Sequence, residues 1–168
     1  MDSATVGTIG SLIVLIAVAI VFLALSVRVV RQHERMIVFR LGRTRPELVR
    51  GPGLRFIIPL IDRPVRVDMR EQVVEVASRS SATRDKQLVD LDARIGYRVI
   101  DPLAMVLAVS DLRGSLEARA VHILGKLIAE SSSEDARFLR EGLAADLRDR
   151  LDADTESWGV TITEVALS

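Results

Sequence analysis

The sequence has no cysteine and only two histidines and one tryptophan in 168 residues. Without cysteine the chain has no disulfide, no thiolate nucleophile, no cysteine-zinc site and no palmitoylation. Neither histidine, His33 or His122, has a second ligand at metal-binding spacing, so we expect no metal and no cofactor. Basic and acidic residues balance at 23 each, which argues against a nucleic-acid partner.

Catalytic motifs are missing as well. The sequence has no Gly-x-Ser-x-Gly elbow, no phosphate-binding loop and no dinucleotide fingerprint. Asp90 and Asp92 lie on one face of a predicted strand and would provide a carboxylate pair, but the neighbouring Arg94 and Arg98 favour a solvated face. We therefore expect that the protein is not an enzyme.

Charge is absent from a long apolar run near the N-terminus. Val6–Val27 contains 22 residues without a charge, or about 33 Å of helix, against a hydrocarbon core of about 30 Å. A buried core helix would be shorter and would keep a polar stripe. A cleaved signal peptide is the main alternative, since Ala24–Ser26 resembles a cleavage site, but the run is too long and no positive charge precedes it. We predict a transmembrane helix over 6–27 after a short tail, 1–5.

The charges that flank this run predict its orientation. Only Asp2 precedes it, whereas Arg28, Arg31 and Arg35 follow it closely. The positive-inside bias therefore places the N-terminus outside and the rest of the chain in the cytoplasm, as a single-pass protein of the cell membrane.

The first half of residues 28–168 has the period of β-strands. Met36–Phe39 favours a strand, and apolar and charged residues alternate over 65–70 and 89–99. Prolines at 59 and 64 indicate that the largely apolar run Leu54–Ile61 is an edge strand or a loop. The sequence therefore predicts antiparallel β-structure with one buried face.

The second half has helical spacing. Asp101 and Pro102 open a helix to about Val109, and apolar residues from Leu112 to Ile128 follow a helical period. Ser131 and Glu134 fit a capping box before a helix with leucines at 139, 143, 147 and 151. A closing strand is predicted over 160–167. The fold class is therefore α+β, with the transmembrane helix followed by strands, then helices, then one strand.

Two surfaces are candidates for function. The first is an apolar loop close in sequence to the membrane exit, which would either enter the headgroup region or fill the domain core. Its residues are Phe56, Ile57, Ile58, Pro59, Leu60 and Ile61. The second is the charged face of the last helix, which would either contact another subunit or remain solvated. Its residues are Arg140, Asp146, Arg148, Asp149 and Arg150.

Several segments, taken together and in order, resemble the stomatin branch of the SPFH (band 7, prohibitin homology) family, including the slipins. They are Arg28–Arg43 (RVVRQHERMIVFRLGR), Gly51–Pro59 (GPGLRFIIP), Val65–Arg70 (VRVDMR), the strand ending at Val99 and the closing Trp158–Val160. The resemblance implies a homo-oligomeric membrane scaffold that organises lipids and regulates integral membrane proteins, including channels and proteases. It also implies that the hairpin turn Gly51, Pro52 and Gly53 is membrane-associated, which favours membrane contact for the apolar loop.

The sequence departs from the family pattern in two places. Stomatins proper carry a proline in a re-entrant intramembrane hairpin, whereas residues 1–27 contain none, which favours a spanning helix. The family usually continues into a C-terminal coiled coil, which is not present in the sequence up to Ser168, and this favours lateral packing of SPFH domains over a closed cage. The leading hypothesis is a non-enzymatic scaffold. The alternatives are an adaptor or regulator of a membrane protease and a membrane-tethered hydrolase, the latter disfavoured by the missing catalytic residues.

Overall fold

A computed structural model describes residues 3–44, 48–77, 81–132 and 140–168, with side chains from residue 12 onward. The chain divides into two compact units, Met1–Asp68 and Met69–Ser168. Each unit has its own strands and its own buried side chains, so each is described by itself.

The first unit begins with helix α1, Ser3–Ser26. Within the described residues, no helix is both long and apolar enough to cross a membrane. The described residues that follow, 27–44 and 48–68, form five strands: β1 (Val27–Val30), β2 (Glu34–Arg40), β3 (Val49–Arg50), β4 (Gly53–Phe56) and β5 (Asp62–Asp68). β1 and β4 form a two-stranded ribbon, and β3, β2 and β5 form a sheet in that order, with all pairs antiparallel.

The bounds of α1 differ slightly from those of the predicted span. The helix already includes Ser3, inside the predicted tail, whose first two residues lie outside the described part of the chain. Val27, the last residue of the predicted span, belongs to β1. The side chains of residues 6–11, which belong to the same prediction, are also outside the described part.

The core of the first unit lies between the ribbon and the sheet strand β2. Val30, Met36, Val38 and Ile57 are buried there, with Leu48 packed against them. The strand predicted over Met36–Phe39 is confirmed as part of β2. Pro64 lies in β5, at the edge of the described sheet, where a residue without an N–H is tolerated.

In its described residues, 69–77, 81–132 and 140–168, the second unit combines one three-stranded sheet, one short hairpin and three helices. Its elements are β6 (Gln72–Val76), β7 (Ser81–Ala82), β8 (Leu88–Val89), β9 (Ala93–Val99), α2 (Pro102–Ala108), α3 (Leu112–Glu130), α4 (Arg140–Thr155), a 3-10 turn (Glu156–Trp158) and β10 (Val160–Leu167). The sheet order is β10-β9-β6, and β7 pairs with β8. This arrangement confirms the α+β class and the closing strand.

The helix starts are largely those that the sequence predicts. The Asp101 carboxylate accepts from the N–H groups of Leu103 and Ala104, at 2.9 and 3.0 Å, and so caps α2. Ser131 instead ends α3, since its hydroxyl donates to the carbonyl of Leu127 at 2.7 Å. Glu134, the other half of the predicted capping box, lies outside the described residues.

The apolar stripes of α3 and α4 and the inner face of the sheet are buried in the second unit. The buried helix residues are Leu116, Ala120, Ile123, Leu124, Leu127, Ile128, Leu143, Leu147 and Leu151. The strand predicted over 89–99 is interrupted, because β8 ends at Val89 and β9 begins at Ala93. Alternate residues nevertheless remain buried, including Leu91 in the interruption. The alternation of buried and exposed side chains therefore continues through the residues between β8 and β9, where the strand hydrogen bonding is interrupted.

Candidate functional site

The apolar loop over 56–61 returns to the end of α1. Phe56 lies opposite Val27 in the β1–β4 ribbon, and the next residue, Ile57, donates its backbone N–H to the carbonyl of Ser26 at 2.8 Å. Ser26 is the last residue of α1, and its hydroxyl donates to Phe22 O at 2.7 Å. The loop is therefore held beside the point where the helix ends, although about thirty residues of chain separate the two.

The structure divides the six predicted membrane-contact residues into a core group and a surface group. Ile57 is only 6% exposed and packs in the core of the first unit. Pro59 is half-buried. The others are exposed: Phe56 by 66%, Ile58 by 41%, Leu60 fully and Ile61 by 42%. Ile57 therefore belongs to the core, whereas membrane contact of the exposed residues stays a prediction.

Asp62 closes this loop into a tight turn. Its N–H donates to the carbonyl of Ile58, and its carboxylate accepts from the N–H of Ile58, each at 2.9 Å. The same carboxylate, with its side chain 2% exposed, forms a bidentate pair with Arg40, whose Nε and Nη2 donate at 2.8 and 3.1 Å. The hydrogen bonds from Arg40 lower the pKa of Asp62, and the N–H of Ile58 adds to this effect against the opposing effect of burial.

Two exposed leucines, Leu41 and Leu60, lie in two neighbouring turns of the first unit. Leu60 has a backbone φ of 74° and Leu41 has a φ of 51°, both in the left-handed region that is unfavourable for a leucine. The N–H of Leu41 donates to Ile61 O at 3.3 Å, which links the two turns. We call the exposed residues Leu41, Ile58, Leu60 and Ile61 the apolar tip. Unfavourable backbone conformations and large exposed apolar side chains occur together at Leu41 and Leu60, a combination typical of functional sites.

A second apolar surface combines Phe56, which the sequence indicated, with two residues that it did not. Val29 lies opposite Leu54 in the ribbon, on the same face as Phe56, and these residues are 58–66% exposed. We call Val29, Leu54 and Phe56 the ribbon face. In a water-exposed ribbon the outer face is normally polar. The apolar residues were visible in the sequence, but the pairing that places them on one face was not.

The opposite side of the ribbon carries charge. Arg28 lies directly opposite Arg55. Arg55 also fixes the predicted hairpin turn, because its Nε and Nη2 donate to the carbonyls of Gly51 and Pro52 at 3.2 and 3.4 Å. Gly53 follows with a φ of 117°, a conformation that favours glycine. The Gly-Pro-Gly segment is therefore a turn between β3 and β4.

The three residues assigned to topology differ in their environment. Arg28 and Arg31 are exposed, whereas Arg35 is half-buried and donates to the carbonyl of Glu34 at 3.3 Å. Their role in orientation stays a prediction.

The charged face predicted on the last helix lies on α4. All five residues, Arg140, Asp146, Arg148, Asp149 and Arg150, are exposed. Two ion pairs join α4 to α3: Arg150 contacts Glu130 at 3.5 Å, and Asp154 contacts Arg119 at 2.8 Å. Asp152 has a different role, since its carboxylate accepts from the N–H of Ile162 in β10 at 2.8 Å.

The carboxylates that the sequence suggested as a pair, Asp90 and Asp92, are both exposed and lie outside the regular strands. The backbone of Asp92 exchanges two hydrogen bonds with Ser168, at 2.9 and 3.0 Å. Within the described residues no group of three or more histidine or acidic side chains is arranged to hold a metal ion.

Helix α2 is apolar along its whole length, PLAMVLA, and none of its residues is fully buried. Leu107 is 63% exposed, and Ile100, just before the helix, is 56% exposed. The sequence predicted this helix but gave no indication that it would lack a buried face.

The fold and these surfaces together define an α+β domain that follows an N-terminal apolar helix. Residues 28–168 match the family model of the SPFH domain, or Band 7 family. The chain belongs to this family.

Characterised and uncharacterised relatives support this assignment. Stomatin-1 of Caenorhabditis elegans is 34% identical over 143 residues, which are 85% of this chain and 43% of the relative. A stomatin homolog of Pyrococcus horikoshii is 32% identical over 148 residues, 88% of this chain and 55% of the relative. An uncharacterised protein of Archaeoglobus fulgidus is 35% identical over 153 residues, 91% of this chain and 61% of the relative. The chain thus spans about half the length of these curated relatives.

Proposed function

We propose that this protein is a membrane-anchored, stomatin-like scaffold that self-associates and organises a membrane patch or modulates integral membrane proteins. In this proposal α1 is the anchor and residues 28–168 are cytoplasmic. The apolar tip and the ribbon face form a second membrane contact. The observation that carries the proposal is the hydrogen bond from Ile57 to Ser26 O, because it holds both apolar surfaces beside the end of α1.

Three features support membrane contact. The charge-free run Val6–Val27 is long enough for an anchor. The described large apolar side chains of α1, from Leu12 to Leu25, are 50–66% exposed. The apolar tip is held by Asp62 and Arg40 in a conformation that leaves Leu60 fully exposed, which is costly in water and favourable at a lipid interface.

A cysteine-accessibility experiment tests the second contact. The natural chain has no cysteine, so Leu60→Cys introduces a single thiol. In full-length protein reconstituted into vesicles, we expect slow maleimide labelling at position 60 that becomes fast in detergent. Leu107→Cys, on α2 in the second unit, is the control, since Leu107 is also exposed, by 63%. Equal labelling rates at the two positions in vesicles would argue against membrane contact.

Self-association is tested separately. The same Leu107→Cys protein, labelled with one dye and diluted in a bilayer, is expected to bleach in several steps. Uniform single-step bleaching at all protein densities would contradict the scaffold.

The alternative function, an adaptor or regulator of a membrane protease, is favoured by α2. A helix of seven apolar residues with no buried member is a candidate partner surface. A protein that remains monomeric in the bleaching experiment, but loses an effect on membrane proteolysis after Leu107→Asn, would support the adaptor over the scaffold.

A further inference from the structure

Charge is distributed very unevenly along this neutral chain. Residues 28–68 contain ten arginines and four acidic residues, a formal net charge of +6. Residues 69–168 contain 13 basic and 18 acidic residues, a net charge of −5. The excess of positive charge therefore lies in the unit that contains α1. It is not apparent from the net charge of the whole chain, which is zero.

The ribbon concentrates part of this charge in an unfavourable position. Arg28 and Arg55 are direct cross-strand partners, and like charges placed directly opposite each other destabilise an antiparallel pair. Within the described part of the chain neither forms an ion pair, and Arg55 is held by backbone carbonyls only. Arg31, exposed in the turn after β1, adds a third positive charge. An anion between the guanidinium groups of Arg28 and Arg55 would remove their repulsion, and phosphate oxygens suit arginine best.

The other face of the same ribbon indicates where that anion comes from. Val29 and Leu54 are exposed apolar residues on the face opposite Arg28 and Arg55. Apolar side chains next to a basic cluster are typical of segments that bind anionic lipid surfaces, where the apolar part enters the interface and the basic part meets headgroup phosphates. A soluble phosphate ligand would explain the arginines but not the apolar face.

We propose that the first unit is selective for anionic phospholipids, and that Arg28, Arg55 and Arg31 bind the headgroup phosphates while the ribbon face enters the interface. This inference rests on the proposed membrane contact and adds the lipid class to it. It gives Arg28 and Arg31 a role in lipid binding that is separate from their predicted role in orientation.

An environment-sensitive dye on Leu54→Cys tests this inference in the full-length protein. The protein is reconstituted into vesicles of phosphatidylcholine alone or of phosphatidylcholine mixed with phosphatidylglycerol. We expect a larger blue shift with phosphatidylglycerol. The difference should vanish when salt is raised from about 0.1 M to about 1 M, because the screening length falls from about 10 Å to about 3 Å.

Substitutions show whether the named arginines are responsible. Arg28→Gln and Arg31→Gln should each weaken the phosphatidylglycerol-dependent contact about fivefold, whereas Arg28→Lys should largely retain it. The matched control removes two other exposed arginines from the second unit, Arg84→Gln with Arg113→Gln, and should leave the phosphatidylglycerol-dependent contact unchanged. Circular dichroism of each variant checks that the fold is kept.

The outcomes separate this inference from the proposed function. Equal blue shifts in both lipids at low salt, or equal losses in the ribbon and control variants, would overturn lipid selectivity and leave membrane contact standing. No blue shift in either lipid would overturn both. Reversal by inorganic phosphate at constant ionic strength would also overturn the lipid assignment, since it would identify free phosphate as the ligand.

Discussion

The backbone N–H of Ile57 donates to the carbonyl of Ser26 at 2.8 Å and so joins the start of an apolar loop to the last residue of α1. The side chain of Ile57 then enters the core, while its neighbours on both sides, Phe56 and Ile58, face outward. One buried residue thus anchors a turn whose other apolar side chains are available for a partner. The proposed membrane contact depends on this division.

Substitution of the two neighbouring isoleucines tests whether Ile57 belongs to the core and Ile58 to the surface. Ile57→Ala removes core contacts with Val30, Met36 and Val38, so we expect a loss of about 2–5 kcal/mol in the free energy of unfolding. Ile58→Ala, at a position 41% exposed, should cost less than about 1 kcal/mol. Denaturant unfolding in detergent, followed by a probe in the first unit, measures both. Equal losses would show that the division is wrong.

Leu60→Asn should affect membrane contact without damaging the fold. Asparagine tolerates the left-handed conformation better than leucine, and the leucine side chain has no protein contacts to lose because it is fully exposed. We expect an unchanged or higher melting temperature in detergent. In vesicles, hydrogen exchange of residues 58–61 should rise about tenfold or more, since burial of a leucine contributes about 1.5–3 kcal/mol.

Leu107→Asn on α2 is the matched control for this variant and should leave the exchange of residues 58–61 unchanged. A clear drop in the melting temperature of Leu60→Asn would indicate that Leu60 supports the fold and not the interface.

Asp62→Ala should loosen the apolar tip. The carboxylate accepts from Ile58 and from Arg40, and loss of such charge-assisted bonds exposes the turn to local opening. We expect the amide of Ile58 to exchange at least about tenfold faster. Asp149→Ala, an exposed aspartate on α4, is the control. Unchanged exchange at Ile58 would mean that the turn is held by other contacts.

The same carboxylate gives the tip a pH dependence. Because Arg40 lowers the pKa of Asp62 in the folded chain, its stabilising effect is complete above the unfolded pKa of about 3.9 and is lost as the pH falls further, through the lower folded pKa. Protection of the Ile58 amide should therefore be constant from pH 7 to pH 5 and decrease below about pH 4. Asp62→Asn should remove this decrease. A loss that begins above pH 5 would implicate another group.

Much of this fold could be predicted from local patterns. The Asp101 cap, the leucine stripe of α4 and the alternation through Leu91 and Ile95 each depend on residues close together in sequence. These features follow from local capping and from helix and strand periods, so the α+β class and the order of strands, helices and closing strand after residue 28 could be predicted.

The surfaces were less predictable, because they depend on pairings between distant segments. All residues of the loop 56–61 are apolar in the sequence. The structure alone shows that Ile57 is the buried one, next to the backbone hydrogen bond from its N–H to Ser26 O. The ribbon face needs the register that places Val29 opposite Leu54. The sequence suggests that Asp152 is a solvated charge on a helix, whereas its carboxylate accepts a hydrogen bond from the backbone N–H of Ile162 in β10.

The most direct test of the second membrane contact measures the depth of Leu60. A fluorophore on Leu60→Cys in the full-length protein is compared with one on Leu107→Cys in vesicles that contain lipids with a quencher near the headgroup. We predict strong quenching at position 60 and weak quenching at position 107. Equal, weak quenching at both positions would contradict the proposal that the apolar tip contacts the membrane.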